Sequence, residues 1–429
     1  MRSIAMGILL AGLAAAATTN HSQVTFYRDV LPVLQKNCQG CHRPGEAAPM
    51  SLLTYKEARP WAKAIKEAVL NKTMPPWFAD PHYGTFSNDR RLTASELTTL
   101  ATWAETGAQA GNLSDAPPPV QWVNGWNIGK PDKVFEMPQA FEIPASGTID
   151  YQYIVLPTGF TEDKWVQSAE ARPGNPKIVH HIIAFIREPG SNWLKDAKPG
   201  VPYVPKQHAG AGGGQGFGGD FLAGYAPGTI PQVLKPGQGK LVPAGSDIVL
   251  QLHYTANGKA ASDQTRVGII FAKEKPAERI LTLAAGAHNF AIPAGDSNYQ
   301  VDASMTLHHD ATLTALLPHM HLRGKSFEYR VKYPDGKEET LLDVPHYSFN
   351  WQLSYYLSEP KLLPKGTVIE CTAHYDNSAN NAFNPDPAKV VRYGEQSWEE
   401  MMYGFFDVSI PADLKPAALF REPKKTETD

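Results

Sequence analysis

The chain has 429 residues but only 3 cysteines, too few for a disulfide framework. Cys38 and Cys41 stand three positions apart and belong to a motif discussed below. That leaves Cys371, in the apolar run Gly366-Thr-Val-Ile-Glu-Cys, which reads as a buried and inert thiol. Stability must therefore come from packed cores. Net charge is small as well: 40 Lys and Arg against 43 Asp and Glu give −3, which argues against nucleic acid or an anionic membrane surface as a partner. No run beyond the N-terminus is long and apolar enough to span a bilayer. There is no P-loop and no Ser/His/Asp nucleophile context. Gly214, Gly216 and Gly219 satisfy a dinucleotide-binding spacing, but no strand precedes them and no helix follows. That stretch reads as a loop, and nucleotide binding is rejected.

What is present begins with Met1-Arg2-Ser3, an apolar or small-residue run from Ile4 to Ala17, and Thr18-Thr19-Asn20. One positive charge, a short apolar stretch and the Ala15-Ala16-Ala17 ending predict a secretory signal over residues 1–21. The run falls short of the roughly 20 residues that a transmembrane anchor needs. The expected location is periplasmic or secreted, with no membrane attachment beyond the signal.

The pattern then divides. Residues 22–112 carry apolar positions at helical spacing: Tyr27 to Asn37, a second helix from Ser51 to Leu70 interrupted at Pro60, and a third beginning at the Thr93/Glu96 capping box. Residues 113–122 form a Pro-rich linker. From 123 onward short Val/Ile/Tyr/Phe runs alternate with turn pairs such as Asn257-Gly258 and Asp335-Gly336. The charged stretch from Ala272 to Arg279 divides this region into 123–273 and 274–420, each the size of one β-sandwich. Residues 421–429 are a polar tail. The expected architecture is a small all-helical domain followed by two all-β sandwiches.

Cys38-Gln-Gly-Cys41-His42 is the attachment signature of a c-type haem. Two thiols one helical turn apart can add to the two vinyl groups of one porphyrin, and the adjacent His42 reaches the iron. A redox dithiol would not need the histidine, and a zinc site would need a second Cys/His pair. One covalent haem c is expected, and the domain would be a cytochrome c. Its distal ligand would be a methionine, Met74 in the stiff Met-Pro-Pro-Trp loop in preference to Met50, which leaves little chain to wrap round the porphyrin.

In the β region five histidines and one methionine stand out. His180 and His181 are adjacent in an apolar strand, His253 lies in another that runs on to Tyr254, His319 and His321 flank Met320, and Met401 follows Glu400. Strand alternation puts His319 and His321 on one face. It puts His180 and His181 on opposite faces, so these two can share an ion only where the backbone bulges, twists or ends. Taken singly, each histidine would most often be structural. His308-His309 reads as strand edge or loop, and His374 as structural.

At these residues the sequence resembles the copper type II, ascorbate-dependent monooxygenases, the family of peptidylglycine α-hydroxylating monooxygenase and dopamine β-monooxygenase. The resemblance covers roughly residues 125–415, with its motifs in family order. It implies two jelly-roll sandwiches and two copper ions, one held by His180, His181 and His253, the other by His319, His321 and Met401. It further implies electron storage at the first ion, and O₂ binding and substrate attack at the second. Imidazoles suit copper in both oxidation states, and a thioether favours Cu(I). The peptidylglycine enzymes carry an Arg two residues before the His-x-His and a Tyr four residues after the Met ligand. Here those positions are Leu317 and Phe405, which argues against a peptidylglycine substrate. The haem domain is a further departure. The expected activity is hydroxylation of a C–H bond in a small substrate with O₂, with electrons arriving from a periplasmic donor through the haem. The alternative is a non-catalytic electron-transfer or copper-binding protein.

Overall fold

A computed structural model describes residues 23–46, 48–123, 125–205 and 219–421. The signal segment 1–21, Gly214, Gly216 and the tail beyond Arg421 lie outside the described residues. No helix among those described is long and apolar enough to cross a membrane.

The N-terminal part is helical. A π-turn at Phe26–Val30 runs into the helix Leu31–Asn37, followed by Tyr55–Ala58, Ala62–Leu70 and Ala94–Glu105. The predicted second helix starts late and breaks where expected, each for a local reason. Thr54 caps the second helix, its hydroxyl accepting from Glu57 N–H while the Glu57 carboxylate takes Thr54 N–H; the helix thus starts at Tyr55, not Ser51. Pro60 turns the chain through a 3₁₀ segment, Arg59–Trp61. Thr93 and Glu96 form the expected capping box. Phe26, Val30, Leu34, Leu100 and Trp103 make the core of this unit.

The rest is mostly β-sheet, arranged as packed sheets. One eight-stranded sheet runs, in spatial order, Lys133–Glu136, Arg266–Phe271, Lys164–Arg172, Gln238–Val242, Glu278–Ala287, Met402–Pro411, Ala311–His319, Tyr355–Leu363. Its first half packs against a four-stranded sheet, Gln152–Pro157, Asp247–Tyr254, Val179–Arg187, Asp220–Tyr225, through Phe135, Ile154, Val166, Ile182, Leu250 and Val267. Its second half packs against Tyr299–Thr306, Val368–Tyr375, Gly324–Lys332, Glu338–Val344 through Leu313, Phe327, Tyr329, Ile369 and Phe406. The two units are therefore not separate. Glu278 and Arg279 pair in parallel with Gln238 and Gly239, making one sheet common to both.

The helical part is also less self-contained than its sequence suggests. Trp77, Ala79 and Phe86 are buried in the second β core. Phe86 bridges Leu357, and Asp80 N–H donates to Asp343 C=O at 2.8 Å. A loop between two helices carries no periodicity to show which core its aromatic residues enter.

Candidate metal centre

The strand Val179–Arg187 pairs with Asp247–Tyr254, with Val179 opposite Tyr254 and His181 opposite His253. The register shifts between these two pairs, so His180 is the extra residue of a bulge. The bulge lets two adjacent histidines turn to one point: His180 Nδ1 and His181 Nδ1 are 3.2 Å apart. Ring nitrogens of His180, His181 and His253 all lie within 4.8 Å of one another. With metal–nitrogen bonds of about 2.0 Å, a 3.2 Å separation corresponds to an angle of about 105° at a shared ion.

Hydrogen bonding selects the ligand atoms. His253 Nε2 is engaged by Ser397 Oγ at 3.1 Å, and its Nδ1 is buried with no partner. Burial pushes His180 down to about 4 and His181 and His253 well below their ordinary value, with the neighbouring imidazoles adding to the effect. The three are neutral at pH 7, as ligands must be. This group could hold a metal ion.

Around the second group the strand Ala311–His319 lies beside Met402–Pro411, with Leu317 opposite Phe405 and His319 opposite Tyr403. Met401 clusters with Tyr403, Phe405 and Leu317, on the face that carries His319. The His319 and His321 rings are 5.2 Å apart between centroids, while Met320 between them packs into the second core. Both Nδ1 atoms are held: His319 Nδ1–H donates to Gln352 Oε1 at 2.8 Å and His321 Nδ1–H to the Glu399 carbonyl at 3.2 Å. Each ring thus offers Nε2, and that of His321 is buried and unpartnered. Burial lowers His319 to about 4 and His321 well below its ordinary value. Glu400 ties down the turn, accepting from His321 N–H at 2.9 Å and Arg323 N–H at 2.7 Å. Burial raises its carboxyl to about 8 against the pull of those donors.

Two aromatic rings fill the space between the groups. Tyr151 lies 5.4, 4.6 and 6.5 Å from the His181, His253 and His321 rings. Phe349 stacks on His180 at 4.6 Å and stands 6.2 Å from His321. A cavity of about 140 Å³ opens beside them where the two units meet, with His181 and His319 both in its wall. Sequence reasoning missed Tyr151, Phe349, Gln352 and Ser397, which sit in segments without a distinguishing pattern. His308 and His309 lie in a loop, and His374 Nδ1 is bound by Ser326 Oγ at 3.2 Å, as a structural residue would be.

In the helical unit Cys41 N–H and His42 N–H both bond to Cys38 C=O, so the three motif residues share one turn. His42 Nδ1 lies 3.3 Å from the Met50 carbonyl, a contact that does not involve Nε2. Burial raises Cys38 to about 12. Met50 packs on the helical core; Met74 is half-buried, three residues before the anchored Trp77. Cys41 faces the β region: its sulfur and the Trp351 ring stand 3.9 and 3.5 Å from where a Cβ on Gly228 would lie.

No family model matches the chain, and no curated protein does. Among solved structures, the VP2 protein of infectious bursal disease virus, as a D431N mutant in T=1 particles, is 10% identical over 68% of this chain and 72% of its own. Its TM-score is 0.19. The STIV MCP is 11% identical over 57% of this chain and 94% of its own, again with a TM-score of 0.19. Likeness at that level carries no argument about this chain.

Proposed function

We propose that the chain is an exported, copper- and haem-dependent monooxygenase of the copper type II kind, which hydroxylates a C–H bond of a small substrate. The observation that carries this reading is the pair of buried, neutral imidazole groups, His180/His181/His253 and His319/His321, with His181 of the first and His319 of the second in the wall of one cavity; Met401 would complete the second group. The overall reaction takes a C–H bond, O₂, two electrons and two protons to C–OH and water. Two one-electron copper ions would supply the stored reducing equivalents, and a covalent haem on Cys38, Cys41 and His42 would be their intake.

The chain's own residues have definable roles. The bulge at His180 turns two nitrogens to one point, and Ser397 holds His253 by its far nitrogen. Gln352 and Glu399 fix His319 and His321 so that their Nε2 atoms are free to bind; anchoring a ligand's second nitrogen in this way raises its basicity and sets its orientation. Tyr151 and Phe349 exclude water from between the groups. Cys41 Sγ and the Trp351 ring both border Gly228. Gly228 and Trp351 come one from each β unit, so a haem on this motif would lie near where those units meet, and covalent linkage would keep donor and acceptor at a high effective concentration.

Copper content and haem oxidation test the reading. Chain matured in a periplasm should carry one haem and two copper ions. His253→Ala should lose one copper and leave the haem spectrum unchanged, and Met401→Leu should weaken Cu(I) binding at one site about tenfold or more while sparing Cu(II). The ferrous haem should reoxidise faster under O₂ with copper than without. Equal rates would leave the alternative, an electron-transfer or copper-binding protein without catalysis.

A further inference from the structure

Behind the second histidine group a file of aromatic rings leads outward. Phe405 stands 6.1 Å from the His319 ring and stacks on Tyr403 at 5.3 Å, with 14° between their planes. Beyond Tyr403 come Tyr393 and His288, both half-buried, with their rings 4.7 Å apart. Met401 belongs to the same cluster, packed with Tyr403 and Phe405.

The polar ends of the outer rings meet. Tyr403 Oη lies 2.5 Å from His288 Nε2 and 3.2 Å from Tyr393 Oη. Burial lowers His288 from its ordinary value, so the imidazole is neutral at pH 7. Of these two neutral partners the phenol is the stronger acid and the imidazole the stronger base, which makes Tyr403 the donor and His288 Nε2 the acceptor.

A phenol that loses an electron becomes a very strong acid. A tyrosine whose proton can pass at once to a base along an existing hydrogen bond is therefore more readily oxidised than one bonded to a neutral amide. Tyr403 has such a base. A buried hydroxyl that needed only a partner would be served as well by an amide oxygen.

We propose that Tyr403 is a redox-active tyrosine, giving one electron to a one-electron oxidant that arises at the His319 group and its proton to His288 Nε2. The products are a neutral phenoxyl radical, an imidazolium and the reduced oxidant. A one-electron reductant in solution, of the thiol or enediol class, returns the electron through the outer Tyr393. The oxidising equivalent is thus drawn away from the Met401 thioether, which oxidation would convert to a sulfoxide. That the oxidant arises at this group, from O₂ partly reduced without substrate, rests on the monooxygenase reading; the oxidation of Tyr403 itself does not. It can therefore be measured on copper-free protein.

Mixing copper-free protein with hexachloroiridate(IV), followed by freeze-quench electron paramagnetic resonance, is the test. The wild type should give a tyrosyl radical whose signal narrows when its tyrosines are ring-deuterated. Tyr403→Phe and His288→Gln should each slow its formation about tenfold or more, the second even though glutamine still accepts a hydrogen bond. Tyr83→Phe, at an exposed position, should match the wild type. Circular dichroism and melting temperature confirm that each variant is folded. No tyrosyl radical in the wild type, an undiminished rate in folded Tyr403→Phe or His288→Gln, or an equal loss in Tyr83→Phe would overturn the proposal. Should the radical form as described while the wild type takes up no copper, the monooxygenase reading fails and the redox-active tyrosine stands.

Discussion

At the scale of the residue, one inserted position in a strand decides what His180 and His181 can do together. The adjacent pair was visible in the sequence, as was the need for a bulge, a twist or a strand end, because alternation alone would send the two rings to opposite faces. The bulge itself was not legible, since it depends on how the strand registers against His253 and Tyr254. The anchors Ser397 and Gln352 were hidden for a related reason: they lie 144 and 33 residues from the histidines they hold, and a single Ser or Gln carries no spacing. In the helical unit a different residue has a measurable consequence. Burial pushes the Glu96 carboxyl up, but hydrogen bonds from Lys36, Thr93 and Asn37 outweigh it and bring it down to about 2. A carboxyl lowered in the fold contributes stability that is full above its unfolded value near 4.5 and is lost as pH falls through about 2. Glu96→Gln should therefore flatten the acid destabilisation between those limits, by roughly 2–3 kcal/mol, as read by denaturant unfolding at stepped pH.

At the scale of the element, the strand Met402–Pro411 does most to align the second group. It pairs with Ala311–His319 on one side and Glu278–Ala287 on the other, and all but its last residue are buried. Such a strand reads in the sequence as an apolar run, without the alternation that would tell its two faces apart. Its glycine shows how tight the fit is. A Cβ on Gly404 would lie 2.3 Å from Cys371 Sγ and 3.0 Å from the Tyr329 ring. Gly404→Ala should cost about 1–3 kcal/mol through overpacking, seen as a lower denaturation midpoint. Its effect on copper affinity should fall on the His319/His321 group and spare His180/His181/His253.

At the scale of the whole molecule, a division into helical and β parts was legible because hydrophobic period changes near residue 120. The interlocking of those parts was not. Trp77 belongs by sequence to the helical stretch, yet its ring packs at 4.9 Å on Tyr355 and at 6.0 Å on Phe86 inside the second β core. Trp77→Ala should lower the stability of the β region by about 3–5 kcal/mol, and calorimetry should show the β transition moving while the helical unit keeps its own. The eight-stranded sheet binds the molecule in another way. The strands that frame the cavity, one from each unit, are rungs of a single hydrogen-bonded ladder joined at Gln238 and Glu278. A ladder of this kind has no crease about which its halves could swing. It acts as a ruler: the spacing of the two histidine groups is written into strand pairing when the chain folds.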